Sequence, residues 1–548
     1  MKGGLLLLSF DFSHYYRYDE LTSFLKVAAE QYPHLARLQS IGKSYEGRDI
    51  WLLELSNQEV GDPANKPAMY IEGNMHAGEV TGCAVCQYTI WYLLDNYGTD
   101  PDVTNLLDTR TFYINPRVSP DGAEKYLATP YMLRSSVHSY PGEAEDGLYP
   151  EDIDGNGYIL QMRLPDPMGD WRVSDHDPRL MVRRDPGEQN GQFYRLFQEG
   201  LVRNYRDDQE VTIARPLWGL DFNRNYPANW APDHLQRGAG PYPLSESETK
   251  AVVDFMLAHK NVGGIMSYHT SGGVILRPYS TKADSHFPGA DLRIYGILGN
   301  IAKEITGYDL IGVFDGLNCG LPSHGDLKDW AYEHYGVLVF TTELWDAGKA
   351  AGARSIDWSK EPSEAEREAR ELKLLEWQDK EFEGQGFVGW HKYDHPQLGE
   401  VEIGGWKTKE YMQNPPANYL EAECHKNAMF TLKHALLSPL VRVQKVNVNK
   451  CDEDLWQISV TVANEGFLPT HVTEQAVKIK VAKPVKVSLG TAAGVSLIDG
   501  DATLELGHLA GWSKAQATWL VRGQVGDACT VIVRSEKGGC DAQVVTLS

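Results

Sequence analysis

The sequence predicts an α/β protein in which a mixed, twisted sheet flanked by helices is followed by a C-terminal all-β sandwich. Up to about residue 435, short apolar runs typical of buried strands alternate with segments of helical spacing. From about Leu440, apolar and polar residues alternate singly between turn signals such as NEG and DGD. The length of 548 residues has room for several domains of about 100–200 residues each.

The first region is predicted to begin with a helix behind a capping Asp19. A capping box of Ser245 and Glu248 opens a second helix, and another begins near Asp291 and ends at Gly307. Three apolar runs predict buried strands, at residues 68–73, 262–269 and 337–340. Strands that alternate with helices in this way favour a largely parallel or mixed sheet covered on both faces.

The second region carries alternating patterns that predict strands around residues 458–462 and 477–481. Short alternating strands separated by turns are typical of a small β-sandwich. We place the boundary near Ser438–Pro439, which divides the chain into domains 1–438 and 439–548. Within the first domain, residues 135–220 are rich in Asp, Pro, Gly and Arg and poor in periodicity, which predicts an irregular insertion.

The charge balance excludes several kinds of partner. Lys and Arg total 52 against 75 for Asp and Glu, a net charge of −23, which argues against nucleic acid. No apolar run approaches the ~18–20 residues of a membrane span. The N-terminal leucine run is short and lacks a small-residue cleavage site, so we expect a cytoplasmic protein, or a secreted one if a leader is missing from this chain.

Four side chains are predicted to meet at one edge of the sheet. His76 and Glu79 follow the strand at 68–73, whereas His269 and Glu343 end two further apolar runs. In open α/β sheets the ligand crevice lies beyond the carboxyl ends of the strands. Two His and one Glu leave an open zinc coordination position, which is the catalytic pattern, and a further Glu could carry a proton.

The segment at residues 221–227 (DFNRNYP) carries a positively charged side chain, Arg224. An Arg flanked by two Asn offers a bidentate cationic fork with amide donors beside it, which suits a carboxylate. A zinc site beside this carboxylate-binding group favours a substrate with a free C-terminus. Binding of that terminal carboxylate would determine which peptide bond lies at the zinc.

Taken in order, HAGE, DFNRNYP, SYHTSGG and FTTELWD resemble the motifs of the zinc metallocarboxypeptidases, the carboxypeptidase A-like or funnelin family, over residues 15 to 435. The resemblance implies a carboxypeptidase-like catalytic domain that acts on the C-termini of peptides or proteins with one catalytic zinc ion. It also implies roles for individual residues: zinc ligands His76, Glu79 and His269, general base and acid Glu343, and carboxylate-binding Asn223 and Arg224.

The family also has an arginine that polarises the scissile carbonyl, at a fixed distance after a Pro-Asp-Gly turn. The matching position is Arg134, and Arg163 is the second choice. The position of the family's substrate-capping tyrosine falls on Leu321, and a shifted tyrosine or His324 are the alternatives. At a position that often sets side-chain preference stands Lys328, which would favour acidic terminal residues unless it points to solvent.

A loop in the insertion resembles the start of a calcium site. Asp152, Asp154 and Asn156 offer alternate carboxylate and amide oxygens before a glycine. An EF-hand would place Glu at the twelfth position, where Arg163 stands, so the alternatives are Ca2+ in another geometry or a plain Asx-turn.

Two other functions are consistent with the sequence. Relatives of this fold hydrolyse γ-linked glutamyl chains or cell-wall peptides, and the insertion at 135–220 could reshape the crevice for such substrates. A binding protein with a vestigial site is the other alternative, although every candidate ligand and the base are present.

Overall fold

The computed structural model describes residues 8–139, 145–207, 209–353 and 361–548. Within these ranges the α-helices α1 to α11 span, in order, Tyr18–Gln31, Val80–Asn96, Pro101–Thr109, Pro120–Ala128, Ser247–Ala258, Gly289–Thr306, Leu327–Trp330, Ala347–Ala350, Glu364–Phe382, Ala417–Leu437 and Glu474–Lys478.

The strands β1 to β24 span Ala36–Lys43, Asp49–Leu55, Ala68–Gly73, Thr111–Asn115, Gly147–Pro150, Gln161–Pro165, Trp171–Val173, Met181–Arg183, Tyr194–Gln198, Gly200–Arg203, Val262–Thr270, Val274–Arg277, Asp309–Gly312, Leu338–Leu344, Phe387–His395, Gly399–Trp406, Val441–Lys450, Leu455–Asn464, Val485–Thr491, Ser496–Asp499, Thr503–Gly507, Lys514–Arg522, Ala528–Ser535 and Gly539–Thr546.

The main sheet has eight strands in the order β1-β2-β4-β3-β11-β14-β12-β13. Its centre is parallel, because β4, β3, β11 and β14 run in one direction, while β1, β2 and the β12–β14 pairing are antiparallel. One face packs against apolar residues of α2, α6 and α10, and the other against those of α5 and α7. The predicted mixed sheet with helices on both faces is confirmed.

Two predicted helix starts are wrong. Helix α1 begins at Tyr18, because Glu124 accepts the Tyr18 N–H, so Asp19 lies in the first turn and is not the cap. The box of Ser245 and Glu248 does not form, since the Ser245 hydroxyl accepts a hydrogen bond from Asn225 Nδ2 instead, and α5 begins at Ser247.

The insertion is more regular than its composition predicts. Strands β6 to β9 join β15 and β16 in a six-stranded sheet of order β15-β16-β6-β9-β7-β8, and β5 pairs with β10. Met162 and Ile403 belong to its small apolar core. The part of the insertion at residues 140–144 and 208 lies outside the described residues.

The C-terminal region forms two antiparallel four-stranded sheets, β17-β18-β22-β20 and β21-β19-β23-β24, around the buried Trp456 and Trp519. The predicted sandwich is confirmed, but the predicted strand at 477–481 is wrong. Residues 474–478 form α11, because Thr473 and Asp291 accept the N–H groups of its first turn, which a helix leaves without internal partners.

The two regions touch through apolar and polar contacts, and Leu468 and Val472 belong to the main apolar core. Asp291 at the start of α6 accepts hydrogen bonds from Glu474 N and Gln475 N, and Lys537 Nζ donates to the carbonyls of Lys260 and Val262 where β11 begins. Helix α10 ends at Leu437 and β17 begins at Val441, and the domain division near 438/439 stays a prediction. Among the described residues, every helix is too short or too polar to cross a membrane.

Candidate metal centre

The loop after β3 brings His76 and Glu79 to the carboxyl edge of the parallel strands. Asn74 holds its start in a left-handed conformation (φ 57°) and donates from Nδ2 to the carbonyls of His76 and Ala77, at 2.8 and 3.1 Å. Ala77 N donates to the carbonyl of Arg134 (2.8 Å). Glu79 then stands at the start of α2, so hydrogen bonds to the backbone of residues 76 and 77 fix the turn that joins the two side chains.

His269, near the end of β11, completes a set of three converging side chains. Its Nδ1 lies 3.0 Å from His76 Nδ1 and 2.8 Å from Glu79 Oε2, and Glu79 Oε1 lies 2.8 Å from His76 Nδ1. All three side chains are buried. Among these three side chains, the ring nitrogens and carboxylate oxygens that approach each other are the atoms that bind zinc in proteins.

This donor set fits a zinc ion. One ligand atom of each of the three residues lies within 4.8 Å of the others, so a single ion could contact all three. Glu79 Oε2 is buried and forms no well-directed hydrogen bond with the described residues, although His269 Nδ1 lies 2.8 Å away, so a cation at this point would satisfy the oxygen. His76, Glu79 and His269 are therefore chemically suited to hold the ion together.

The outward nitrogens of both imidazoles have partners that fix their orientation. His76 Nε2 lies 3.1 Å from Asp221 Oδ1, and His269 Nε2 lies 3.1 Å from Ser267 Oγ, which donates to the buried Glu72. Partners of this kind set the tautomer and the ring plane of a metal-binding histidine.

Burial and neighbouring charges shift the pKa values of Glu79, His76 and Asp221 in opposite directions. Burial raises the pKa of Glu79, but His76 and His269 outweigh it and hold that pKa far below the usual range. Burial lowers the pKa of His76, and the carboxylates of Glu79 and Asp221 raise it by more. Burial also raises the pKa of Asp221, yet the neighbouring Arg134 and His76 bring it well below normal.

Glu343 lies next to this cluster on β14, where it pairs in register with His269 of β11. Burial, followed by the negative charge of Glu79, raises the pKa of its carboxyl group. A carboxyl group with a raised pKa beside a candidate metal centre is suited to accept and return a proton.

Arg134 lies at the same edge and Arg163 does not. The Arg134 Nε donates to Asp221 Oδ2 (2.8 Å), its Nη1 lies 3.5 Å from Glu79 Oε1, and its side chain is 44% exposed. Arg163 pairs with Glu402 inside the small six-stranded sheet. Of the two predicted arginines, only Arg134 has a guanidinium beside the converging side chains.

Asn223 and Arg224 lie in a single 3₁₀ turn capped by Asp221, whose side chain accepts the Asn223 N–H. Asn223 Oδ1 accepts a hydrogen bond from Leu327 N (3.0 Å), and Arg224 Nη1 donates to the carbonyl of Asn223 (2.7 Å). Arg224 is half-buried and forms no ion pair with the described residues, so its guanidinium can receive a carboxylate.

A profile of the zinc carboxypeptidase family matches residues 21–371, more than half of the chain. The chain belongs to the zinc carboxypeptidase family. The predicted family is thereby confirmed, and the residues that face the candidate metal centre all lie within the match. A domain of unknown function matches residues 440–546, which hold the sandwich.

Relatives of this zinc carboxypeptidase family member match it in part. The zinc carboxypeptidase of Saccharothrix mutabilis subsp. capreolus is 39% identical over 118 residues, 22% of this chain and 27% of that protein. Carboxypeptidase A6 of Mus musculus is 23% identical over 363 residues, 62% of this chain and 63% of that protein. The chain thus spans less than two thirds of either relative.

Two solved structures resemble part of this chain. Thrombin activatable fibrinolysis inhibitor is 19% identical, with a TM-score of 0.44 over 77% of this chain and 74% of that chain. Carboxypeptidase A from Helicoverpa armigera is 17% identical, with a TM-score of 0.40 over 70% of this chain and 78% of that chain.

Two positions differ from what the resemblance to zinc carboxypeptidases implies. Leu321 is 72% exposed, and His324 is tied to the carbonyl of Asn229 through Nδ1, so the position of a capping tyrosine stays unassigned. Lys328 is 6% exposed and does not point to solvent, because its Nζ donates to Ser280 Oγ and to Asp326 Oδ2 (2.6 Å). Its charge is therefore paired within the protein.

The loop that resembles a calcium site is held by its own backbone. Asp152 accepts hydrogen bonds from the N–H groups of Gly155, Asn156 and Gly157, and Asp154 Oδ2 lies 3.0 Å from His391 Nε2. Asp152 and Asp154 come close to Glu199, but that carboxylate accepts backbone N–H groups as well. These contacts favour the Asx-turn and give calcium no support.

Several residues around the site were not predicted. Asp221 was present in the DFNRNYP motif, and its position before the Asn-Arg pair is the signal that could have marked it. Ser267 stands two residues before His269 on the same strand face, which is also a readable signal. Asn414, which contacts the loop of His76 and Glu79 from far along the chain, has no local sequence signal.

Proposed function

We propose that this protein is a zinc-dependent carboxypeptidase that hydrolyses the C-terminal peptide bond of peptides or proteins. The observation that carries the proposal is the convergence of His76, Glu79 and His269 beside Glu343. Membership of the zinc carboxypeptidase family supports it independently.

His76, Glu79 and His269 would hold one zinc ion, with Asp221 and Ser267 orienting the two imidazoles. Zinc in such a site polarises a carbonyl and makes water nucleophilic near neutral pH. The depressed pKa of Glu79 keeps that ligand ionised, as metal binding requires.

Glu343 acts as general base and then as general acid. Its carboxylate takes a proton from the attacking water and delivers it to the amine that leaves with the C-terminal residue. Its raised pKa suits both transfers, because a catalytic group works best when its pKa lies nearer the working pH.

Arg134 stabilises the negative charge that develops on the carbonyl oxygen. Asp221 fixes one side of its guanidinium, and the exposed remainder faces solvent, where a substrate can approach. A fixed cation aimed at developing charge loses no reorganisation energy during the reaction.

Asn223 and Arg224 bind the terminal carboxylate of the substrate. Asn223 uses its Oδ1 for Leu327 N, which leaves its Nδ2 donor pointing away from that contact. A guanidinium fork with an amide donor beside it matches a carboxylate and explains a requirement for a free C-terminus.

The test is mass-spectrometric tracking of a mixed peptide library incubated with zinc-loaded protein. Half of the library has free C-termini and half has amidated ones, and a chelator control and the variant Glu343→Gln run in parallel. We expect stepwise loss from free C-termini alone, abolished by the chelator. Cleavage of amidated peptides, or release from γ-glutamyl or cell-wall peptides alone, would contradict the proposal.

A further inference from the structure

The segment at residues 408–414 packs against the loop that carries His76 and Glu79. It forms a helical turn that ends at Asn414, and it lies beyond the family match, which stops at residue 371. Asn414 is 1% exposed and lies 336 residues from the loop residue Gly78 that it contacts.

The side-chain amide of Asn414 forms hydrogen bonds through both its nitrogen and its oxygen. They reach the loop of His76 and Glu79 and the first turn of α2. Its Nδ2 donates to the carbonyl of Gly78 at 2.8 Å, between the two candidate ligands. Its Oδ1 accepts from Thr81 N (3.2 Å) and from Thr81 Oγ1 (2.8 Å), in the first turn of α2 directly after Glu79. One buried amide therefore fixes the backbone on either side of Glu79.

The neighbouring side chains close the remaining space around the loop. A Cβ on Gly78 would lie 2.8 Å from the Gln413 amide and from the Tyr126 ring, so the loop packs directly against this segment. Tyr126 OH donates to Gln413 Oε1 (3.0 Å) and receives a hydrogen bond from Asn414 Nδ2 (3.2 Å).

We propose that Asn414 is a positioning residue that holds His76 and Glu79 in the geometry required for zinc. The inference rests on the proposed metal site and extends it to a part of the chain outside the family match. Asn74 restrains the loop through the carbonyls of His76 and Ala77, and Asn414 restrains it further along the chain, through Gly78 and Thr81. Removing one restraint lets the loop relax, so fewer molecules present all three ligands together.

The test compares zinc affinity and thermal stability of the full chain in the wild type and in Asn414→Ala. Zinc affinity is measured by competition with a chromogenic chelator, and unfolding is followed with and without zinc. We expect the zinc Kd of Asn414→Ala to rise about tenfold, and the zinc-induced rise in Tm to shrink accordingly. The control Thr408→Ala, an exposed change in the same segment, leaves both values unchanged.

A second variant keeps the test decisive if Asn414→Ala does not fold. Thr81→Val keeps the shape of the side chain and removes the hydroxyl that donates to Asn414 (2.8 Å) and lies 3.3 Å from Tyr15 OH, so its zinc Kd is expected to rise by a smaller factor. An unchanged Kd in a folded Asn414→Ala, or in Thr81→Val if the first variant is unfolded, would overturn the inference. The inference would also be overturned if Asn414→Ala lowered the Tm, relative to the wild type, by the same amount with and without zinc.

His269→Ala separates this inference from the proposed function. If the wild type binds zinc and His269→Ala does not, the proposed metal site is supported. The zinc Kd of Asn414→Ala then tests the role of Asn414 by itself. If the wild type and His269→Ala bind zinc equally, the metal site itself is refuted, and the inference falls with it.

Discussion

His269 and Glu343 occupy paired positions on two adjacent parallel strands, β11 and β14. Neighbouring strands lie about 4.8 Å apart, and paired residues project to the same face of the sheet. The distance between a proposed metal ligand and the proposed base is therefore set by backbone hydrogen bonds, not by a mobile loop. Mutations at either position should change chemistry while leaving the sheet intact.

The first prediction concerns Glu343→Gln. The amide keeps the volume of the side chain but cannot accept a proton, so kcat is expected to fall about 10²- to 10⁴-fold. Zinc content, measured by atomic absorption, should stay at the wild-type level because Glu343 is not among the three converging side chains. Glu400→Gln, an exposed change on β16, is the control. A Glu343→Gln enzyme with wild-type kcat would refute the proposed role.

The second prediction concerns Asp221→Asn. This change removes the carboxylate that meets His76 Nε2 and Arg134 Nε, so the imidazole loses its orienting partner. We expect zinc affinity to fall about 10- to 100-fold, measured by chelator competition. Asp254→Asn on the exposed face of α5 serves as the matched control. Equal zinc affinities in Asp221→Asn and the wild type would show that His76 is positioned by other contacts.

The third prediction concerns Arg224→Ala. Loss of the guanidinium should raise KM for peptides with a free C-terminus about 10- to 100-fold, the worth of charge-assisted hydrogen bonds. The preference for free over amidated C-termini should decline in parallel. Steady-state kinetics on a matched pair of peptides measures both, and Arg293→Ala on the surface of α6 is the control. A preserved preference would assign the carboxylate to another cation.

The fourth prediction concerns two glycines in helices. A Cβ on Gly82 in α2 would lie 2.7 Å from the carbonyl of Tyr268, where the helix crosses β11, whereas a Cβ on Gly296 in α6 meets nothing within 4 Å. Gly82→Ala is expected to lower the free energy of unfolding by about 1–3 kcal/mol, as overpacking does. Gly296→Ala should raise it by about 0.5–1 kcal/mol through helix propensity. Urea denaturation of both variants measures the change in the free energy of unfolding. A change in the same direction for both variants would contradict the packing described.

The fifth prediction concerns pH. Burial raises the pKa of Glu248 to about 7 from 4.5. The folded state then holds a proton that the unfolded state has released, so this group's contribution to stability is complete below pH 4.5 and is lost as pH rises towards about 7. Glu248→Gln resembles the protonated form and should remove this loss, worth about 3 kcal/mol at full effect. Denaturation curves between pH 4.5 and 8 measure the difference, and parallel profiles would contradict the prediction.

The positions of His76, Glu79, His269 and Glu343 at the ends of strands could be predicted, because local sequence patterns determine where those strands end. Each follows or ends a short apolar run, and parallel strands bring their carboxyl ends to one edge regardless of the distance between them in sequence. The same logic gave the mixed sheet and the sandwich, since buried strands carry continuous or alternating apolar residues.

Other features depend on partners that are distant in the chain. The hydroxyl of Ser245 is engaged by Asn225, and the first turn of α11 is completed by Asp291, so local capping and alternation rules gave the wrong result at both places. The buried Lys328 is paired with Asp326 and Ser280, a contact that its sequence neighbourhood does not reveal. Long-range polar contacts of this kind need the folded coordinates.

The contact between Asn414 and the loop of His76 and Glu79 also has a consequence for the order of events during synthesis. Gly78 is translated 336 residues before the amide that binds its carbonyl. At about 5–20 residues per second, the ribosome needs roughly 20 to 70 seconds to cover that distance. Throughout that interval the nascent chain carries His76 and Glu79 without the Asn414 contact, so the restraint that we propose for these two residues is added only in the last third of translation.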